Sequence, residues 1–157
     1  MKTKRILIIG YGNPLRGDDG AGWAAAERLQ SCKTKNSLEI LICPQLFPEQ
    51  AEPVSQADLA IFLDASCDAA PGSWKCQKSF AGETPALPGG GMYAAAFTHS
   101  VSPGELLGLA RELYGHCPEA YLYTMGGESF ETANRLTPAV QSAIEGVVGD
   151  VEKRITA

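Results

Sequence analysis

The sequence predicts an α/β protein, with a three-layer α/β/α sandwich around a mainly parallel sheet of five strands. Short apolar runs such as residues 59–63 have the length and composition of buried strands. Segments with apolar residues at helical spacing follow such runs, as in 21–29 and 138–153. Because the two kinds of segment mostly alternate along the chain, we expect parallel strands with helices on both faces.

The individual elements follow from the same patterns and from capping signals. A capping box, Ser102-Pro103-Gly104-Glu105, predicts the start of one helix, and Thr137-Pro138 predicts the start of another. Strands are predicted at 5–9, 38–42, 59–63, 72–80 and 119–125, and helices at about 19–30, 48–56, 103–115 and 138–153. The Gly- and Pro-rich segment 81–91 is predicted to be a surface loop.

Composition and charge limit the class of protein. At 157 residues the chain is expected to form one domain, residues 1–157, with a sizeable core. The formal net charge of −5 argues against nucleic acid or anionic lipid as a partner. No apolar run approaches the roughly 20 residues of a membrane helix. We therefore expect a cytoplasmic protein without a membrane partner, and a monomer is the simplest oligomeric state.

The cysteines do not predict a metal site. None belongs to a C-x-x-C pair, and an odd number of thiols in a cytosolic chain favours reduced residues that serve mainly in packing. The five are Cys32, Cys43, Cys67, Cys76 and Cys117. His116 and Cys117 are adjacent, and neighbours in sequence rarely bind one metal together, so we expect them in a loop after a helix.

A glycine-rich loop, GYGNPLRGDDGAG at residues 10–22, separates the first predicted strand from the first helix. Loops at the carboxyl ends of strands form the binding sites of open α/β sheets. The dinucleotide fingerprint would need a glycine three residues after Gly12, where this chain has Leu15, and the P-loop lysine is absent. Two carboxylates would also repel a phosphate. The loop is therefore better suited to holding a cation or protons.

The adjacent carboxylates of this loop are expected to have different roles. Capping or bracing of the loop is favoured for Asp18, whereas direct chemistry is favoured for Asp19. Asp64 follows the predicted strand 59–63, so it lies at the same edge of the sheet. His99 lies just before a helix N-terminus, a location that favours neutral imidazole, although a lone histidine is more often structural.

Together, Asp19, Asp64 and His99 predict a site at the carboxyl edge of the sheet. Two carboxylates and an imidazole can hold a divalent metal with open positions, or they can serve acid–base hydrolysis. The spacing does not separate these two options. Gln45 and Glu49 are polar groups beside the same edge, and a solvated loop and an ordinary helix start are equally good accounts of them. Covalent acyl chemistry has no support, since the chain lacks a G-x-S-x-G elbow.

The chain resembles the hydrogenase maturation proteases, the endopeptidases that trim the C-terminal extension from the large-subunit precursor of nickel–iron hydrogenases. The resemblance covers nearly the whole chain in order. It is carried by GYGNPLRGDDGAG at 10–22, by 57–64 with its closing aspartate, by Thr98-His99 ahead of Ser102-Pro103, by GGESFE at 126–131 and by LTPAV at 136–140. The tract Pro44-Gln45-Leu46 followed by Pro48-Glu49 resembles one subgroup of this family.

The resemblance implies a phosphorylase/hydrolase-like fold and a set of functional residues. Carried over to this chain, the metal-binding and catalytic residues are Asp19, Asp64 and His99, and Gln45 and Glu49 are candidates for substrate binding. The implied cofactor is nickel, supplied by the precursor itself, and another divalent ion is expected to substitute in vitro. The implied partner is the large-subunit precursor.

Four functions are compatible with these residues. A precursor-processing endopeptidase is the leading hypothesis. The alternative is a non-proteolytic maturation factor that binds nickel or the precursor through the same three residues. A different peptidase on the same scaffold, such as a relative of the spore germination proteases, is a third hypothesis, and a nucleotide-binding module is the fourth.

Overall fold

A computed structural model of the chain describes residues 3–82 and 101–157. The strands are β1 (Arg5–Tyr11), β2 (Ser37–Cys43), β3 (Leu59–Ser66), β4 (Trp74–Ser79) and β5 (Glu119–Gly126). The helices are α1 (Ala21–Leu29), α2 (Ala51–Gln56), α3 (Pro103–Tyr114) and α4 (Pro138–Thr156), and short 3₁₀ turns precede α1 (Gly17–Gly20) and α2 (Pro48–Gln50). In the described ranges, no helix has the length and apolar character that crossing a bilayer would require.

The described residues contain a five-stranded sheet in the order β2-β1-β3-β5-β4. The first four strands in this order are mutually parallel, and β4 pairs antiparallel with β5 at one edge. This confirms the predicted α/β class and the mainly parallel sheet. The carboxyl ends of β1, β2, β3 and β5 therefore lie along one edge of the sheet, where ligand sites form in open α/β folds.

Alternate residues of the strands point to opposite faces, and each face carries its own apolar core. One core joins the sheet to α1 and α4 through residues such as Leu29 and Val147. The other joins it to α2 and α3 through residues such as Val54 and Leu106. The helices thus cover both faces, which is the predicted three-layer arrangement.

The predicted helix starts are confirmed by their capping bonds. The Glu105 backbone N–H donates to Ser102 Oγ at 3.2 Å, and the Ser102 N–H donates to Glu105 Oε1 at 3.3 Å. Thr137 Oγ1 accepts from the Val140 N–H at 3.3 Å at the start of α4. These bonds satisfy amide donors of the first turn that have no partner within the helix.

Several predicted bounds differ from the structure. The first helix does not begin at residue 19 but follows a 3₁₀ turn, because the glycine loop continues to Gly20. The strand at 59–63 continues to Ser66, so Asp64 lies inside β3 and pairs with β5. The predicted strand at 72–80 is the antiparallel edge strand. Most of the predicted loop at 81–91, from residue 83 on, and His99 lie outside the described residues.

Candidate functional site

Four side chains form a row across the sheet at its carboxyl edge. Tyr11 pairs with Cys43 between β1 and β2, and Asp64 pairs with Thr124 between β3 and β5. Gly10 of β1 pairs with Leu63 of β3. The residues that follow them, Tyr11 and Asp64, therefore lie side by side on these two neighbouring strands. Tyr11 and Cys43 pack in the core under α2 and α3, and alternation along the strands places Asp64 and Thr124 on that face as well. The row is therefore Cys43, Tyr11, Asp64 and Thr124.

Asp64 is the chemically unusual member of this row. Its pKa is raised to about 7, mainly by burial and to a smaller extent by the nearby charge of Asp19. Hydrogen bonds from the Ala65 N–H, at 2.8 Å, and from the Tyr11 hydroxyl act in the opposite direction. The charge of Asp19 acts on Asp64 because the turn that carries Asp19 lies against β3. A carboxylate with such a pKa can exchange a proton at neutral pH.

The raised pKa of Asp64 predicts a pH-dependent stability. A carboxyl group whose pKa is higher in the folded state stabilises the fold fully below its unfolded pKa of about 3.9, and that stabilisation is lost as the pH rises through about 7. The free energy of unfolding should therefore fall by roughly 2–4 kcal/mol between pH 4 and pH 8. Urea unfolding at a series of pH values measures this, and Asp64→Asn should remove most of the slope.

The backbone of the glycine loop positions Asp19. The Asn13 N–H donates to Asp19 Oδ2 at 2.7 Å, and Asn13 Oδ1 accepts from the Leu15 N–H at 2.9 Å. Gly12 has φ 138°, and a Cβ atom there would overlap with the Asp19 carbonyl oxygen. A glycine is therefore required for the loop to fold back over Asp19. Asp19 is half-buried, so part of the residue is exposed at the edge of the sheet.

The close approach of α1 to the sheet brings the loop over the strand ends. A Cβ atom at Gly22 would collide with the carbonyl oxygens of Leu63 and Tyr11. The Trp23 indole N–H also donates to the Cys43 carbonyl oxygen, at 2.8 Å. These contacts hold α1, and with it the preceding turn that carries Asp19, against the carboxyl ends of β1, β2 and β3.

Asp18 is a bracing residue, which confirms the interpretation favoured by the sequence. It is fully buried. Its Oδ2 accepts hydrogen bonds from the Glu128 N–H at 2.7 Å, the Ser129 N–H at 3.2 Å and the Thr137 hydroxyl at 2.6 Å. Its Oδ1 accepts from the Thr137 N–H at 2.8 Å. Burial acts to raise the pKa of Asp18, but these bonds outweigh it, so the pKa lies below its ordinary value.

The predicted substrate-binding residues lie beyond the end of β2. Gln45 is half-buried and Glu49 is exposed in the 3₁₀ turn before α2. Gln50 makes the structural contacts of this segment, since its Nε2 donates to Cys43 Sγ at 3.2 Å and its Oε1 accepts from the Phe47 N–H at 2.9 Å. Cys43 pairs with Tyr11, so the segment borders the row of side chains. A role for Gln45 and Glu49 in substrate binding stays a prediction.

The described residues supply two of the three predicted metal ligands. Asp19 and Asp64 lie on two elements that are in contact at the carboxyl edge of the sheet, whereas His99 is outside the described ranges. Within residues 3–82 and 101–157, no three His, Cys, Asp or Glu side chains form a metal-binding group. Carboxylate oxygens are suitable ligands for a divalent cation. The two aspartates therefore fit part of a metal site, and a third ligand has to come from another source.

Sequence reasoning overlooked three residues of this region. Tyr11 interacts with Asp64, Thr124 lies opposite it in the sheet, and Thr137 holds Asp18. The position of Tyr11 at the end of β1 could have indicated a place at the edge of the sheet. The other two contacts join residues far apart in sequence, and no local pattern predicts them.

Comparison with known proteins places the fold among solved structures. No protein-family model matches the chain, and no curated protein matches it either. The hydrogenase maturating endopeptidase HybD from E. coli is 29% identical, with a TM-score of 0.67, and the match covers 94% of this chain and 89% of that one. The [NiFe] hydrogenase maturation protease HycI from Thermococcus kodakarensis is 20% identical, with a TM-score of 0.75 and coverage of 98% and 94%.

A third solved structure, the hydrogenase 2 maturation peptidase from a Thaumarchaeota archaeon, is 23% identical, with a TM-score of 0.66 and coverage of 97% and 98%. The two matches below 25% identity show the shared fold. HybD adds a higher identity over almost the full length of both chains. On this fold, the chain carries the acidic glycine loop at residues 10–22 and Asp64 in β3, the features on which the site was predicted. The comparisons therefore confirm the resemblance of this chain to the hydrogenase maturation endopeptidases.

Proposed function

We propose that this chain removes the C-terminal extension of a nickel–iron hydrogenase large-subunit precursor after nickel has been inserted. The observation that supports this most directly is the convergence of Asp19 and Asp64 at the carboxyl edge of the sheet, close enough for one charge to raise the pKa of the other carboxyl group. Two carboxylates without a cation between them repel each other. A substrate that brings a divalent cation relieves this repulsion, and a substrate without one does not.

This arrangement supports recognition of nickel as part of the substrate. The carboxylate oxygen atoms of Asp19 and Asp64 are hard ligands for a divalent cation, and His99 is the predicted nitrogen ligand. Binding of the loaded precursor would then be favoured over the empty precursor by the attraction between the cation and the two carboxylates. Specificity for the maturation state would thus come from electrostatics rather than from the peptide sequence alone.

The same residues support hydrolysis of a peptide bond. Burial holds the pKa of Asp64 near 7, so a fraction of this carboxyl group is ionised at neutral pH and can accept a proton from water. The Ala65 N–H and the Tyr11 hydroxyl orient the carboxylate, and Asn13 orients Asp19. When bound, a cation would polarise a substrate carbonyl. The activated water and the polarised carbonyl are both compatible with this geometry.

Cleavage of the precursor by the purified protein tests the proposal. Nickel-loaded and nickel-free forms of the large-subunit precursor are incubated with the protein and compared by gel electrophoresis. We expect a shortened product from the loaded form and little or none from the empty form, because the cation offsets the repulsion between Asp19 and Asp64. Mass spectrometry of the product locates the cut.

Two controls make the outcome specific. Asp68 is an exposed aspartate in the loop after β3, so Asp68→Asn should cleave as the wild type does. Equal cleavage of loaded and empty precursor would contradict nickel recognition. Binding of the loaded precursor without any product would contradict the peptidase proposal and favour the non-proteolytic maturation factor.

A further inference from the structure

The Thr124 hydroxyl lies beside the site and has no hydrogen-bond partner among the described residues. Its Oγ1 atom is buried and makes no hydrogen bond to the part of the chain that the structure describes. Buried polar atoms in folded proteins are nearly always paired, because an unpaired one has lost its bonds to water without replacement. The usual partner of such an atom is an ordered water molecule or an atom of a ligand.

The sheet register places this hydroxyl next to Asp64. Asp64 and Thr124 are direct partners on β3 and β5. Two residues earlier on each strand, Phe62 and Leu122 pack in the core under α2 and α3, so both Asp64 and Thr124 point to that face. Neighbouring strands are about 4.8 Å apart, and the two side chains leave the sheet side by side.

A threonine at position 124 is expected to lower the stability of the fold relative to a valine. Valine has nearly the same shape and the same preference for strands, but no hydroxyl to bury. In the row at the sheet edge, Tyr11 already donates to the carboxylate from the other side of Asp64. The Thr124 hydroxyl is therefore an additional polar group in the site, and local costs of this kind are expected where function requires them.

We propose that Thr124 is a positioning residue whose hydroxyl donates to an oxygen atom bound with the divalent ion beside Asp64. That oxygen belongs to a water molecule when the ion alone is present, and to the precursor peptide when the precursor is bound. This inference rests on the proposed function, since it concerns the same site. It adds a specific hydrogen bond for the Thr124 hydroxyl, which has none to residues 3–82 and 101–157.

Two substitutions of Thr124, each of which removes a different part of the side chain, test the role of the hydroxyl. Thr124→Val keeps the shape and removes the hydroxyl, whereas Thr124→Ser keeps the hydroxyl and removes the methyl group. We expect Thr124→Val to raise the thermal unfolding midpoint by about 2–4 °C and to lower kcat/KM for nickel-loaded precursor about 10-fold. Thr124→Ser should lower the midpoint but retain kcat/KM within about 3-fold. A purely structural role would move stability and activity in the same direction.

Titration with Ni²⁺ alone provides a readout independent of cleavage. The unfolding midpoint of each protein is followed as Ni²⁺ is added, and Thr124→Val should need about 10-fold more Ni²⁺ than the wild type for the same shift. If the wild type cleaves no precursor, the proposed function fails, and this titration still decides the role of Thr124. The inference is overturned if Thr124→Val is less stable than the wild type, or if it cleaves and binds Ni²⁺ as the wild type does. Absence of both cleavage and a Ni²⁺ shift in the wild type overturns both proposals.

Discussion

Asp64→Asn is expected to lower precursor cleavage at least about 10²-fold while leaving the fold intact. Asparagine is close in shape and retains an oxygen that can accept from the Ala65 N–H. It cannot take a proton from water, and it brings no negative charge to a cation. Single-turnover cleavage of nickel-loaded precursor at pH 7.5 measures the loss.

The stability of this variant separates loss of chemistry from loss of structure. Because burial raises the pKa of Asp64, ionising it destabilises the folded wild type above about pH 7. Asp64→Asn should therefore unfold at a higher urea concentration than the wild type at pH 8, and at a similar concentration at pH 4. Retained cleavage in a folded variant would remove Asp64 from the mechanism. Asp68→Asn, which changes an exposed carboxylate on the adjacent loop, serves as the matched control.

Asp18→Ala is expected to have the largest effect on stability, a loss of about 3–5 kcal/mol. The carboxylate accepts four hydrogen bonds from three residues in the segment between β5 and α4. Removal of the acceptor leaves three amides and one hydroxyl unpaired in a buried place. Total stabilities of domains are only about 5–15 kcal/mol, so this is a large fraction. Urea unfolding monitored by tryptophan fluorescence measures the change.

A second substitution at Asp18 tests the geometry of the brace. Asp18→Asn keeps one acceptor oxygen but places an amide donor against another donor, so its loss should be smaller, about 1–3 kcal/mol. The pKa of Asp18 lies below its ordinary value, so the stabilisation from this carboxylate is present above about pH 4 and disappears as the pH falls through the folded pKa. Unchanged stability in Asp18→Ala would show that the hydrogen bonds do not contribute.

Asp18 and Asp19 illustrate which features of the glycine loop the sequence can predict and which it cannot. The different roles of Asp18 and Asp19 were expected because a carboxylate at a helix start commonly caps or braces. The residues that Asp18 holds were not expected, since Thr137 is 119 positions away. The aspartate at β3 was predicted at the correct edge of the sheet, because buried parallel strands are strongly apolar and a carboxylate after one lies at its carboxyl end.

Patterns within a few residues of one another were sufficient for the α/β class, the helix starts at Ser102 and Thr137, and the acidic loop. These features depend on the period of apolar residues and on hydrogen bonds between close neighbours. The antiparallel placement of β4 and the Tyr11–Asp64–Thr124 row depended on long-range packing. Strand order and register arise when both faces of the sheet are buried at once, and segments far apart in sequence take part in that burial.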